Sequence, residues 1–121
     1  MEMNLIKELV EKETGIDITE KTHKRPVVYA RAMYFKLCRD KTNHNLHEIG
    51  ESVGRHHTSV LHAIREVWPE AMAYNEDFRF TYDRLKEDEK MLSWKERYFK
   101  LKKEYMELHK FYRNSKTKNT N

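Results

Sequence analysis

The sequence predicts an all-α protein, and three observations carry that prediction. Only three Gly and two Pro punctuate 121 residues, in a chain rich in Lys, Glu, Leu and Met; this suits helices and excludes a sandwich, a barrel or a collagen-like chain. Apolar residues recur three and four apart in one segment after another. Between those segments stand residues that start or stop helices: Gly15, Pro26, Asn45, Gly54 and Pro69.

The elements follow in order. Leu5, Ile6, Leu9 and Val10 give residues 3–13 as an amphipathic helix with an acidic polar face, ended by Thr14-Gly15. A turn-rich stretch from Gly15 to Arg25 leads to Pro26, which opens a second helix because its fixed φ and missing N–H suit a first turn. Val28, Ala32, Phe35 and Arg39 lie on one side of this helix, flanked by Val27, Ala30, Tyr34 and Leu37, so it reads as long and mostly buried. Cys38, after Leu37, reads as a core residue; as the single cysteine it excludes a disulfide framework and a Cys-based zinc finger. The run Lys41 to Asn45 stops the helix. Asn45 with Glu48 three residues later makes an N-cap and N3 pair for a short helix from Leu46 to Val53, with Leu46, Ile49 and Val53 inward. Gly54 suits the left-handed residue that ends it. Another helix starts near His56 and runs to Trp68, with Val60, Leu61, Ile64, Val67 and Trp68 on its inner stripe. A short helix, a tight glycine turn and a second amphipathic helix make a helix-turn-helix candidate. Pro69 reads as a break and the first residue of a new helix over 69–88.

Beyond it the pattern resembles a coiled coil. Met91, Trp94, Tyr98, Leu101, Tyr105, Leu108 and Tyr112 alternate spacings of three and four, and Leu92, Phe99 and Met106 add a second stripe. That face is wider than a two-stranded zipper needs, so the segment reads as a surface for packing within the chain or for dimerisation. Residues 114–121 are polar and basic, without core-forming residues, and read as a disordered tail. No run approaches the roughly 18 to 20 consecutive apolar residues of a membrane span, and the acidic amphipathic N-terminus does not resemble a signal peptide. The expectation is a cytoplasmic protein.

Charge is segregated along the chain. Residues 1–20 and 66–90 each carry a net −4, whereas 21–65 and 91–121 each carry +6, and six of the seven histidines fall in 21–65. Such a distribution is the footprint of a polyanion binder. The sharpest motif, GRHHTSVLHA from Gly54 to Ala63, sits inside that basic segment. In a helix-turn-helix the first turn of the second helix enters the major groove, which places Arg55, His56, His57, Thr58 and Ser59 where base edges are read. Arg pairs with guanine or enters a narrow minor groove, His and Ser donate or accept, and the Thr methyl meets a thymine methyl. Spacing alone also puts His57 beneath Val60 and Ile64, which would partly bury it. His44-x-x-His47 and His56-His57 lack the two close Cys of a zinc finger, so no metal is assigned. No nucleophile, base and orienter are grouped, and the chain reads as neither an enzyme nor a cofactor or small-substrate binder.

Residues 25–67 resemble the DNA-binding C-terminal domain of the bacterial replication initiator DnaA. The family's hallmark reads much like GGRDHTTVLHA, after a helix like RQxAMYLxRELTNxSLxEIG; here Arg31 to Gly50 reads RAMYFKLCRDKTNHNLHEIG, then ESVGRHHTSVLHA. The resemblance implies that Arg31 reaches the minor groove, that Arg55 lies at the turn close to phosphates, and that His57, Thr58 and Ser59 face the major groove. Charge and proximity add Lys24, Arg25, Arg39, Lys41, Thr42 and Asn43 as backbone contacts. Three departures stand out. The turn is one residue shorter, with Val53-Gly54-Arg55 for the family's Phe-Gly-Gly-Arg. His56 replaces an Asp, so an acceptor-only group gives way to one that also donates. No G-x-x-x-x-G-K-[ST] loop is present, so no ATPase is expected of these residues.

The organisation expected is thus a helix-turn-helix domain of the DnaA C-terminal type over 1–68, a helical, coiled-coil-like extension over 69–113 for packing or dimerisation, and the tail. The function expected is sequence-specific binding of double-stranded DNA in bacterial or phage regulation of transcription or replication, at the nucleoid, with a homodimer through 91–112. The rival is a helical interaction or structural adaptor that keeps the helix-turn-helix as scaffold.

Overall fold

The computed structural model describes residues 3–88 and 98–109, and within them every regular element is a helix. In chain order these are α1 (Met3–Thr14), α2 (Arg25–Lys41), α3 (Leu46–Glu51), α4 (His57–His62), a π-helical turn (Ala63–Val67), α5 (Trp68–Tyr74) and α6 (Glu76–Lys86). A further helix, α7, covers 98–109.

α2 is the hub. It packs against α1, α3, the π turn, α5 and α6, and so buries residues on all sides, with Met33, Tyr34, Phe35, Leu37 and Cys38 almost wholly enclosed. Each such large side chain contributes roughly 1.5 to 3 kcal/mol on burial. Burial also pushes the Cys38 thiol up to about 12, well into the range of an inert core cysteine. Arg39, expected on the apolar side, is exposed, whereas Lys41 is buried. Elements close around the whole of α2, so a one-sided stripe does not describe it.

The helix-turn-helix forms as its local signals require. Asn45 caps α3: the Glu48 N–H donates to its Oδ1 at 2.8 Å, and its own N–H donates to Glu48 Oε1 at 3.2 Å. The turn then closes on Gly50, whose carbonyl accepts from the Arg55 N–H at 2.8 Å. A Cβ on Gly50 would lie 2.6 Å from the Arg55 carbonyl oxygen, so only glycine lets the chain return this closely. Gly54 takes the left-handed conformation at φ 69°. The Tyr34 hydroxyl lies 2.6 Å from Ser52 Oγ, which itself donates to the Ile49 carbonyl, so Tyr34 is the donor and pins the turn to the hub.

The expected break at Pro69 does not occur. Val67 (φ −72°, ψ −49°) and Trp68 (φ −60°, ψ −48°) stay helical, and α4 runs through the π turn into α5 as one rod. The Trp68 N–H donates five residues back, to the Ala63 carbonyl. The wider turn lies where a proline ring would otherwise meet the carbonyl four residues before it, so the helix bulges instead of stopping. The single helix expected over 69–88 is instead two, because Asn75 is extended (φ −121°, ψ 102°) and caps α6 by accepting from the Phe78 N–H at 3.0 Å.

Ala71, Phe78, Tyr82 and Leu85 join the same core cluster as α1 to α4, so the core crosses the boundary drawn at residue 68. Arg84 pairs with Glu13 of α1. Tyr82 packs edge-on to Trp68 at 5.4 Å and donates to Asp40 of α2 at 3.3 Å; burial first, and Asp40 second, push its phenol well above the ordinary range. Lys36 lies 4.6 Å from the centre of the Trp68 ring. In α7 every residue is exposed, Tyr98, Leu101, Tyr105 and Leu108 included. Met91, Trp94 and Tyr112, and the tail over 114–121, lie outside the described residues.

Candidate nucleic-acid interface

α4 begins at His56, the N-cap, whose Nδ1 accepts from the Thr58 N–H at 3.3 Å and lies 2.9 Å from Thr58 Oγ1. A ring nitrogen that accepts has no proton, so in the neutral ring the proton sits on Nε2. His56 thus caps α4 and still has a donor to present. His57, Thr58 and Ser59 are all exposed. His57 does not sink beneath Val60 and Ile64. It belongs to the first turn, ahead of the point where α4 meets the core, and its ring lies 4.2 Å from that of His56 and 6.3 Å from that of His47.

Arg31 is only 7% exposed. Its Nε donates to the Ile18 carbonyl at 3.1 Å and its Nη2 to the Glu20 carbonyl at 2.6 Å. Arg55 reaches the same Glu20 oxygen through Nη2 at 3.1 Å. The loop that offers these carbonyls is braced by Asp17, which accepts from the Thr19 N–H at 2.9 Å and hydroxyl at 2.5 Å, bonds that hold its carboxyl below the usual value. Burial and then the Arg55 charge lower the Arg31 pKa; an arginine remains charged at neutral pH regardless.

A cleft of about 420 Å³ between α2 and α4 gathers these groups: Arg31, Arg55, Thr58 and Ser59, with His23 and His62, over a floor of Val28, Phe35, Ala63 and Val67. Two guanidiniums, two hydroxyls and two imidazoles on a concave apolar base suit a nucleic-acid strand, with cations for its phosphates and hydroxyls for its base edges. His23 and His62 were not singled out from the sequence. His62 lies four residues after Thr58, the spacing that shares a helix face; His23 sits in a loop and gave no periodic signal.

The backbone candidates scatter. Lys24, Arg39 and Asn43 are exposed. Arg25 lies over the Tyr29 ring at 6.0 Å and lines a separate cleft with Glu13, Asn75 and Phe78, beside α1 and α6. Lys41 is buried. Thr42 is committed to ending α2: its hydroxyl donates to the Cys38 carbonyl at 2.6 Å and accepts from the His44 N–H at 3.2 Å. Just ahead of α3, His44 Nδ1 meets Glu48, and on α3 His47 Nε2 meets Glu51, each at 3.0 Å. The bond from His44, followed by that from the Asn45 N–H, holds the Glu48 carboxyl below its usual value.

Among the described residues no group of three or more His, Cys, Asp or Glu is placed to hold a metal ion, and no helix is long and apolar enough to cross a membrane. Residues 3–67, more than half of the chain, match the family described as the bacterial dnaA protein helix-turn-helix. No solved structure matches the chain.

Proposed function

The chain belongs to the bacterial DnaA helix-turn-helix family, a DNA-binding domain, and from that premise we propose that it recognises a particular duplex sequence and regulates transcription or replication at the nucleoid of a bacterium or phage, by binding alone and without ATPase or other enzymatic activity. The observation that carries this reading is the meeting of Arg31, Arg55, Thr58 and Ser59 at one cleft, beside an exposed first turn of α4. Thr58 and Ser59 present hydroxyls to base edges, His57 stands next to them, and the two arginines flank the groove with positive charge.

Selection of bound duplexes from a random-sequence pool tests the proposal. One enriched site, lost in His57→Ala/Thr58→Ala, is the expected result; no enrichment by the folded protein favours the adaptor reading. Binding is also expected to weaken with salt, at a log–log slope of about −0.9 per phosphate neutralised.

The second element of the proposal is a homodimer formed through 91–112. Support comes from α7, where Tyr98, Phe99, Leu101, Tyr105, Met106 and Leu108 are 52–69% exposed on one short helix, a larger apolar display than isolated surface residues make. A dimer would double the phosphate contacts and favour a two-fold repeated site. Truncation after Glu89 leaves the core through Leu85 intact, so the expected product is folded and of lower order by sedimentation. Unchanged order places the interface elsewhere.

A further inference from the structure

We infer that His47 of α3 is a further DNA-contact residue, meeting the phosphate backbone beside the first turn of α4 and taking up a proton from solvent as it does so. The inference rests on the DNA-binding reading above.

Three imidazoles form a row across the helix-turn-helix: His47 on α3, His57 on α4 at 6.3 Å, and His56 at the N-cap, 4.2 Å further on. All three are exposed. The row therefore extends the reading surface off α4 and onto the helix before it. In helix-turn-helix proteins that first helix crosses the DNA backbone.

The surroundings of His47 explain why a titratable cation belongs there. Its Nε2 is 3.0 Å from Glu51, and one turn earlier His44 pairs with Glu48 in the same way. From α4 it faces His57, and behind that His56 and Thr58; from α2 the Tyr34 hydroxyl reaches the same helix at Ser52. Two carboxylates at the edge that approaches DNA would repel phosphates. A protonated His47 held by Glu51 cancels that repulsion and offers a second N–H to a phosphate oxygen, and the arriving phosphate in turn favours the protonated ring.

Imidazoles change charge between about pH 5 and 8, so proton uptake appears as a loss of affinity across that window. The test measures binding of the full chain to a mixed-sequence fluorescent duplex at fixed ionic strength, from about pH 6 to about pH 8. A backbone contact is read this way whatever the preferred site. The parent is expected to lose about fivefold in affinity across the range, and His47→Gln, which keeps a hydrogen-bonding side chain but does not titrate, is expected to lose measurably less, the remainder coming from the other imidazoles of the interface, His23, His57 and His62. Calorimetry in two buffers of different ionisation enthalpy should show fewer protons taken up by the variant. A variant with the parent's pH profile and proton uptake overturns the contact alone. A parent that binds no duplex at any pH overturns the DNA reading and this inference with it.

Discussion

Arg31 and Arg55 donate to one and the same acceptor, the Glu20 carbonyl oxygen, at 2.6 and 3.1 Å. Two cations so placed repel each other, and the loop carbonyl between them offsets that repulsion. The two differ in burial: Arg31 is enclosed and also bonded to Ile18, whereas Arg55 is half-buried with one contact. Arg31→Ala should therefore cost about 2 to 4 kcal/mol in urea unfolding, as two charge-assisted bonds are lost and the buried Ile18 carbonyl is left without this donor. Arg55→Ala should stay within about 1 kcal/mol of the parent while weakening DNA binding. Equal stability losses in the two variants would contradict this division of labour.

Gly50→Ala should destabilise the fold by about 1 to 3 kcal/mol through overpacking, because the new Cβ meets the Arg55 carbonyl oxygen at 2.6 Å and a backbone atom cannot swing aside. A thermal melt reads the effect. An unchanged melting temperature would mean that α3 and the turn do not lie this close.

Glu48 links stability to acid. Its folded-state pKa lies below the usual 4.5 because His44 and the Asn45 N–H bond to the charged form. Its contribution is therefore fully present above the unfolded value and is lost as pH falls through the depressed one. Glu48→Gln keeps an acceptor for Asn45 but carries no such dependence. The stability difference between parent and variant should be largest near neutrality and shrink below about pH 4.5; a difference that is flat with pH would remove Glu48 from the acid response.

Thr58→Ala and Ser59→Ala remove exposed hydroxyls from the first turn of α4. Each should reduce discrimination between the selected site and a single-base variant by about 1 to 3 kcal/mol if its hydroxyl reads a base well. Competition binding measures this directly. Thr58 also meets the His56 cap at 2.9 Å, so a small stability loss is expected there and not at Ser59.

Features set by nearest neighbours in the chain were legible in the sequence. Asn45 and Glu48 cap each other three residues apart, and Gly54 turns left-handed between two helices; both could be read from residue type and spacing alone. The exposed run from His56 to Ser59 and the family resemblance placed the face of α4. Arg31 was less legible, because its partners are carbonyls 13 and 11 residues away, and a backbone oxygen leaves no trace in the sequence of side chains. Pro69 misled for a different reason: a proline stops a regular helix, and nothing local announces that the preceding turn will widen. The Asn75 break did carry a signal, an Asn followed by Glu76 and Asp77 in a helix's first turn, but periodicity ran through it. His57 stayed exposed because its spacing to Val60 and Ile64 fixes direction around the helix, not depth along it.

The π turn at Ala63–Val67 also works as a phase shifter. One extra residue in a turn offsets everything after it by about 100° around the helix axis. The rod from His57 to Tyr74 carries inward residues on both sides of the offset: Val60 and Ala63 before it, and Trp68 and Ala71 after it. One continuous helix can in this way present its first turn to a groove while its last turns grip α2 and α6, and deleting a single residue from the bulge would swing Trp68 off Tyr82 without touching a side chain of the reading face.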